Sequence, residues 1–253
     1  MIANKRPGLA SMTAIYRREL LSYLTTPTAY VFVAVFLFAI GLFTFQVGHF
    51  FDNRQAELAY SFFGAHPWLF MIFMPAIAMR LWAEGSRSGG IELLLTLPAP
   101  TWSLVLGKYL AAWTVAAASL ALTFPLWITV NVLGHPDNAA IFTGYLASLL
   151  MAGAYLSIGS AMSALTPAQV VAFVLAVLVS FVLTALGLPL VSDFFAGFVG
   201  GGVAEAISRF SILQHFDAAQ RGVIEFRSVF YFLSLIALCL GFTALAVDAR
   251  RGG

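Results

Sequence analysis

Six stretches of this chain run almost free of charge for lengths that approach or exceed a bilayer crossing: residues 30–47, 68–81, 104–133, 142–165, 170–190 and 229–247. A spanning helix needs about 20 mostly apolar residues, because it rises 1.5 Å per residue through roughly 30 Å of hydrocarbon. The 68–81 stretch is the shortest, and it reaches that length only if its start extends back to Tyr60. None of the six alternates apolar with polar residues as a lipid-facing barrel strand does, so helices are expected throughout. Composition agrees, with 61% of the 253 residues apolar and 9% charged, against about a quarter charged in a soluble domain. So few polar groups could not cover a water-soluble globule, which excludes a soluble enzyme, a nucleic-acid-binding domain and a disordered chain. The expected fold is an all-α integral membrane protein, one transmembrane domain over 1–253 with six spans.

Residues 9–26 carry Leu9, Met12, Tyr16, Leu20, Tyr23 and Leu24 at helical spacing, with Arg17, Arg18 and Ser22 elsewhere around the wheel. That pattern predicts an amphipathic helix lying in the membrane interface ahead of the first span. It is not the pattern of a signal peptide, because Arg17, Arg18 and Glu19 interrupt the place of an uncharged core. With both termini on one side, that side holds nine basic residues: Lys5, Arg6, Arg17, Arg18, Arg80, Arg87, Lys108, Arg250 and Arg251. The other side holds four, Arg54, Arg209, Arg221 and Arg227. The positive-inside rule then puts both termini in the cytoplasm. Two connections are too long to be mere links, a cytoplasmic one at 82–103 and an external one at 191–227. In the external one Val203, Ile207, Phe210, Ile212 and Phe216 are spaced as on a helix, which predicts one or two short extracellular helices between spans five and six.

Catalytic and energy-converting motifs are missing from the sequence. There is no G-x-x-x-x-G-K-[ST] loop, and the residue five places before Gly107 is Trp102. No carboxylate falls in the middle of a span, as an ion-driven carrier would want. The G-x-S-x-G register of Gly85–Gly90 has Arg87 at its centre, so it offers no nucleophile. His49, His66, His135 and His215 lack metal-site spacing, and the one cysteine, Cys239, lies in an apolar run. No catalytic, cofactor-binding or metal-binding residue is expected, and no nucleic acid partner. In the fourth stretch Gly153, Ser157 and Ala161 recur every four residues, a spacing that lets two helix backbones approach closely. They read either as packing within one subunit or as a seam between subunits. Pro75 and Pro125 are expected to kink their helices.

Three segments carry a resemblance: RRELLSYLTTPTAYVF from Arg17, MPAIAMRLWAEGSRSGGIELLLTLPAPTWSLVLGKYLAAW from Met74, and SRFSILQHFDAAQRGVIEFRSVFYFLSL from Ser208. The middle one is the most specific, with an acidic-Gly-basic stretch, Gly90 and Glu92, a leucine run, a proline and then Gly107-Lys108. In these features the chain resembles the permeases of ABC-2-type exporters, and among them the gliding-motility-associated subfamily. One departure is Gly85-Ser86, where the family carries more charge. The resemblance implies six membrane helices with both ends inside, in the cytoplasmic (inner) membrane of a bacterium. It implies pairing with a second permease subunit, the same chain or a close relative, and two copies of a separate P-loop ATPase that binds ATP and Mg. It gives the 82–103 loop the role of a coupling helix docking on that ATPase, through Glu84, Arg87, Ile91, Glu92, Leu93, Leu94 and Leu95. The 9–26 helix becomes the connecting helix beside it.

The leading expectation is thus the permease subunit of an exporter, with no enzyme activity of its own. A second reading is a force-transmitting or assembly module that passes ATPase motion to an extracytoplasmic-domain membrane protein. A third is a channel or secondary carrier that needs no ATPase.

Overall fold

The structure is a computed structural model that describes the backbone of residues 7–48, 58–87 and 100–251, with side chains undescribed at 7, 28, 84–87, 198, 199, 204 and 251. Among the described residues every regular element is helical. They are α1 (Pro7–Thr25), α2 (Pro27–Leu42, continued by a wider π turn at Phe43–Val47), α3 (His66–Ala78) and α4 (Arg80–Arg87). Then follow α5 (Thr101–Ala121), α6 (Phe124–Leu133), α7 (Asn138–Leu165) and α8 (Gln169–Ala185). The last are α9 (Pro189–Val199), α10 (Gly201–Ser208), α11 (Ile212–Gln220) and α12 (Phe226–Arg251).

Four helical stretches are long and apolar enough to cross a membrane: Ala29–Val47, Thr101–Leu133, Asn138–Leu165 and Phe226–Arg250. The pair α8–α9 passes the same test only when taken together, and it bends by 75° at its break, as a broken span or a re-entrant loop does. Six unbroken spans are therefore not what the chain forms. The 68–81 stretch becomes the 13-residue α3 and the 8-residue α4, and about 20 Å of α3 falls short of the hydrocarbon thickness. The 170–190 stretch stops at Ala185 because Gly187 and Pro189 interrupt it, and Pro189 opens α9 in a new direction.

Local chemistry sets the other ends. Pro27 starts α2, where its missing N–H costs nothing. The Asp137 carboxylate caps α7 by accepting from the amides of Ala139 (2.9 Å) and Ala140 (3.2 Å). Pro125 sits in the first turn of α6, just after the interruption at Leu122–Thr123, so the helix restarts there and does not kink further along.

The bundle is built around α7. Its small residues let neighbours approach closely: a Cβ on Gly159 would lie 2.4 Å from the Cβ of Ala78 on α3, and one on Gly144 would lie 2.7 Å from the ring of Phe63. α5 runs antiparallel to α7, with the Tyr109 hydroxyl donating to Gly153 O (3.1 Å) and the Trp113 indole to Leu149 O (3.0 Å). α3–α4 runs parallel to α7, from His66 beside Ser148 to Trp82 beside Ser160. α12 also packs along α7. α2 and α12 lie at the rim and leave Val35, Phe38, Leu42, Leu233, Leu238 and Leu245 exposed. At about 25 cal/mol per Å² such faces are costly in water and cost nothing in lipid.

Of the five spaced apolar residues in the 191–227 connection, Ile212 and Phe216, both on α11, are fully buried, while Val203 and Phe210 are exposed. One periodic face in sequence is thus divided, with Val203 and Ile207 on α10 and the other three beyond its end.

Candidate functional site

At one end of the bundle α1, α4, α5, α7 and the last turns of α12 converge on a network of polar side chains. It contains the two roots of the 82–103 connection, the first turn of α4 and the start of α5. α1 packs along the first third of the α5–α6 rod. The Ser103 hydroxyl donates to Gly8 O (2.9 Å), Gly107 lies against Met12 and Ile15, and the Tyr16 hydroxyl meets that of Thr114 at 3.1 Å. The Thr101 hydroxyl donates to the Asp248 carboxylate of α12. The helix expected over 9–26 is thus an α-helix of nearly those bounds, laid along α5.

Lys108 is the centre of this network. It is 8% exposed, and its ammonium donates to Leu81 O at 2.9 Å, sits 3.4 Å from Glu19 Oε1 and lies 5.5 Å from the centre of the Trp82 ring. One cation therefore ties α5 to both α1 and α4. The Arg18 guanidinium donates to Glu19 Oε1 at 2.7 Å. Burial would push the Glu19 carboxyl up, but Lys108 and Arg18 outweigh it and hold the group below the usual carboxylate range, ionised at neutral pH.

Trp82 is buried and its indole donates to Ser160 Oγ on α7 (3.0 Å). Three residues along, Ser163 spends its whole hydrogen-bonding capacity on the α3–α4 break. It donates to Met79 O (2.9 Å) and accepts from the amides of Trp82 and Ala83 (both 3.2 Å). In an unbroken helix the Ala83 amide would bond Met79 O directly. A side chain inserted into that ladder is a recognised cause of helix breaks. The interruption thus falls four residues past Pro75, the position from which a kink was expected.

The sequence-derived docking residues fall as follows. Glu84 and Arg87 lie on α4, with their side chains outside the described residues, and Ile91, Glu92, Leu93, Leu94 and Leu95 lie outside them altogether. Gly153, Ser157 and Ala161 are buried within this chain on α7. Gly153 is covered by Tyr109, Trp113 and Ile236, and the Ser157 hydroxyl donates to Ala154 O of its own helix (2.7 Å). Sequence reasoning assigned no site role to Glu19, Trp82 or Ser163, read Ser160 only as a small residue beside the Gly153 repeat, and met Lys108 only as a cytoplasmic charge and as part of the Gly107-Lys108 motif. Lys108 alone carried a signal, as a cation just inside an apolar run.

At the opposite end His66 is buried with Nδ1 2.7 Å from Ser148 Oγ, its ring stacked on Phe70 at 5.0 Å. His215 stacks on Tyr231 at 4.1 Å. Burial holds the His215 imidazole below the ordinary histidine value, so at neutral pH Nε2–H donates to Arg209 O (3.0 Å) and Nδ1 accepts from the Ser228 hydroxyl (3.2 Å). Among the described residues no three His, Cys, Asp or Glu side chains gather where a metal ion could be held. The polar groups that converge at the α1 end include one hydroxyl set against a carboxylate, Thr101 on Asp248. What they do physically is fasten helices to one another. No protein-family model matches the chain, and no curated protein matches it in sequence.

Proposed function

We propose that this chain is the membrane-spanning permease subunit of an ABC-2-type exporter, worked by a separate cytoplasmic ATPase through the 82–103 connection. In this reading all six apolar stretches cross the bilayer, α3–α4 as a broken second span, and both termini are cytoplasmic by the excess of basic residues at the α1 end. The chain acts as a dimer with itself or a close relative, and the ATP and Mg belong to the ATPase.

The observation that carries the reading is the double fastening of the connection's roots. The α4 root is held to α7 through Ser163 and Ser160, and the α5 root to α1 and α12 through Ser103 and Thr101. Lys108 joins the two roots. A push on a connection rooted in this way is delivered through α4 and α5 to α7, α1 and α12 together, which is what a coupling element requires. The order and spacing of the three sequence segments that resemble the family supply the identity of the motor.

The test is purification of the tagged full chain from its native membrane in mild detergent, followed by reconstitution of whatever co-elutes. The permease reading expects a stoichiometric P-loop ATPase and ATP-dependent movement of a solute or lipid across the vesicle. Movement by the chain without any ATPase would replace it with the channel or carrier reading. A co-eluting ATPase that hydrolyses ATP with no transport would favour force transmission.

A further inference from the structure

Beside the polar network, α2, α3, α5 and the last turn of α1 line an open groove of about 460 Å³, a figure that includes space open to its surroundings. Its floor is Phe36, Met74 and Ile77, all buried. Phe32, Val33 and Phe73 form a half-buried rim. Polar character is concentrated at one end, where Arg80 and Tyr23 line the groove. Ser119 also lines it, but its hydroxyl is occupied by Val115 O of its own helix at 2.9 Å.

The depth of the groove in the bilayer follows from helix lengths. The α5–α6 rod has 33 residues, about 50 Å, and so exceeds a 30 Å hydrocarbon layer by roughly 20 Å. α1 flanks the rod from Trp102 to Thr114, so the surplus lies at the α1 end and the hydrocarbon begins near Val115. The apolar span that includes α2 begins independently at Ala29, and both Val115 and Ala29 line the groove. α2 and α3 run antiparallel here, since Phe36 stacks on Phe70 at 5.7 Å and meets Phe73 edge-on at 5.6 Å, while Gly48, further along the chain, lies against Ser61, ahead of α3. Arg80 therefore lies level with Ala29, and the groove extends inward for about 10 Å to Phe36 and Phe73. A guanidinium stands at headgroup depth, and an apolar trough leads from it toward the midplane.

We infer that this groove binds an anionic phospholipid of the leaflet on the α1 side, with one acyl chain along Phe32, Phe36 and Phe73 and its phosphate at Arg80 and Tyr23. An acyl chain suits a trough without polar partners along its length. Basic pockets between membrane helices on the cytoplasmic side take acidic headgroups, and the five donors of a guanidinium can serve a phosphate together with a protein partner. Because Tyr23 belongs to α1, the lipid would bridge α1 to α2 and α3. The inference needs only that the chain sits in a bilayer, and it stands or falls separately from the ATPase.

The test is native mass spectrometry of the full chain released from vesicles of equal phosphatidylglycerol and phosphatidylcholine. The wild type is expected to retain one phosphatidylglycerol per chain. Arg80→Gln is expected to retain it about five-fold less well, the loss of one interfacial cation. Val33→Trp, which fills the trough, is expected to abolish retention of either lipid. Soluble glycerophosphate is expected not to displace the bound lipid; displacement would show that a phosphate site alone is present and overturn the acyl-chain assignment. Equal retention of the two lipids by the wild type would overturn the headgroup assignment. As a check independent of variant folding, a phosphatidylglycerol carrying a photoreactive acyl chain is expected to label peptides containing 32–36 and 73–77 in the wild type. Labelling confined to other helices would overturn the site.

Discussion

Replacing Ser163 with alanine removes the hydroxyl that holds the α3–α4 break open. The substitution deletes one donated bond of 2.9 Å and two accepted bonds of 3.2 Å at a residue with no solvent exposure. Leaving a buried donor or acceptor unsatisfied costs about 1–3 kcal/mol. The two accepted bonds are long and share one oxygen, so together they count for little more than one. The expected loss is therefore about 2–4 kcal/mol. Closure of the break, with the Ala83 amide bonding Met79 O, would recover part of this. That movement is opposed by Lys108 on Leu81 O and by the Trp82 indole on Ser160. The assay is reversible unfolding in mixed micelles, read alongside hydrogen exchange of the amides from 79 to 87. Ser157→Ala is the control, because that hydroxyl is equally buried, donates to its own helix and reaches beyond it only to the weakly hydrogen-bonding Cys239 thiol, so its loss should cost no more than about 1 kcal/mol. If Ser163→Ala matched Ser157→Ala in stability and left exchange at Trp82 and Ala83 unchanged, the inserted hydroxyl would not be what interrupts the helix.

Lys108→Met leaves Glu19 charged and partly buried and should destabilise by about 3 kcal/mol, whereas Lys108→Met with Glu19→Gln should recover part of the loss in the same unfolding assay. The Glu19 carboxyl is held below its ordinary value, so its contribution is complete above about pH 4.3 and disappears as pH falls through the folded value; acid titration should show a steeper loss in the wild type than in Glu19→Gln. The reverse end has its own titration: His215 is held neutral, so from about pH 6.5 downward the unfolded chain takes up a proton first. Stability should therefore decline on acidification, with a smaller slope in His215→Gln. Gly159→Ala should cost about 1–3 kcal/mol by overpacking against Ala78, while Gly197→Ala, with open space around it, should be neutral or slightly stabilising by thermal unfolding. On the permease proposal, Leu94→Asp or Glu92→Arg should leave the chain inserted while separating ATP hydrolysis from transport; normal transport at normal expression would remove the docking role.

Element identity was legible wherever a single local rule decided it. The apolar length of 30–47 and the helical spacing over 9–26 each act within one element, and α2 and α1 follow them. Other outcomes depended on residues distant in sequence. The second stretch broke at Met79 because a serine on α7 reached it, and a serine in a membrane helix more often bonds its own backbone, as Ser157 does. The fifth stretch ended at Ala185 where Gly187 comes against Ser211, which a Cβ at Gly187 would approach to 2.3 Å. The repeat of Gly153, Ser157 and Ala161 announced a close contact without naming its partner; at Gly153 the partners are Tyr109, Trp113 and Ile236 of the same chain. Lys108 is visible as one of only two lysines. Its anchor Glu19 lies on a separate helix, and no spacing rule connects them.

These tertiary dependencies bear on the proposed coupling. A continuous α3–α4 helix could carry a displacement of its lower end up the span as a rigid rod. The break at Met79 interrupts the hydrogen-bond ladder between the two segments, and the bonds to Ser160, Ser163 and Lys108 fasten α4 to α7 and α5. Force entering through the connection would then reach α7, the most buried helix of the four longest, before it reached α3. On the permease proposal it follows that weakening the Ser163 contact should reduce coupling more than an equal destabilisation placed in α3. A pair such as Ser163→Ala and Met74→Ala, compared at matched stability for ATP-driven transport, separates the two routes. Equal losses in both would mean that the break plays no part in directing the motion.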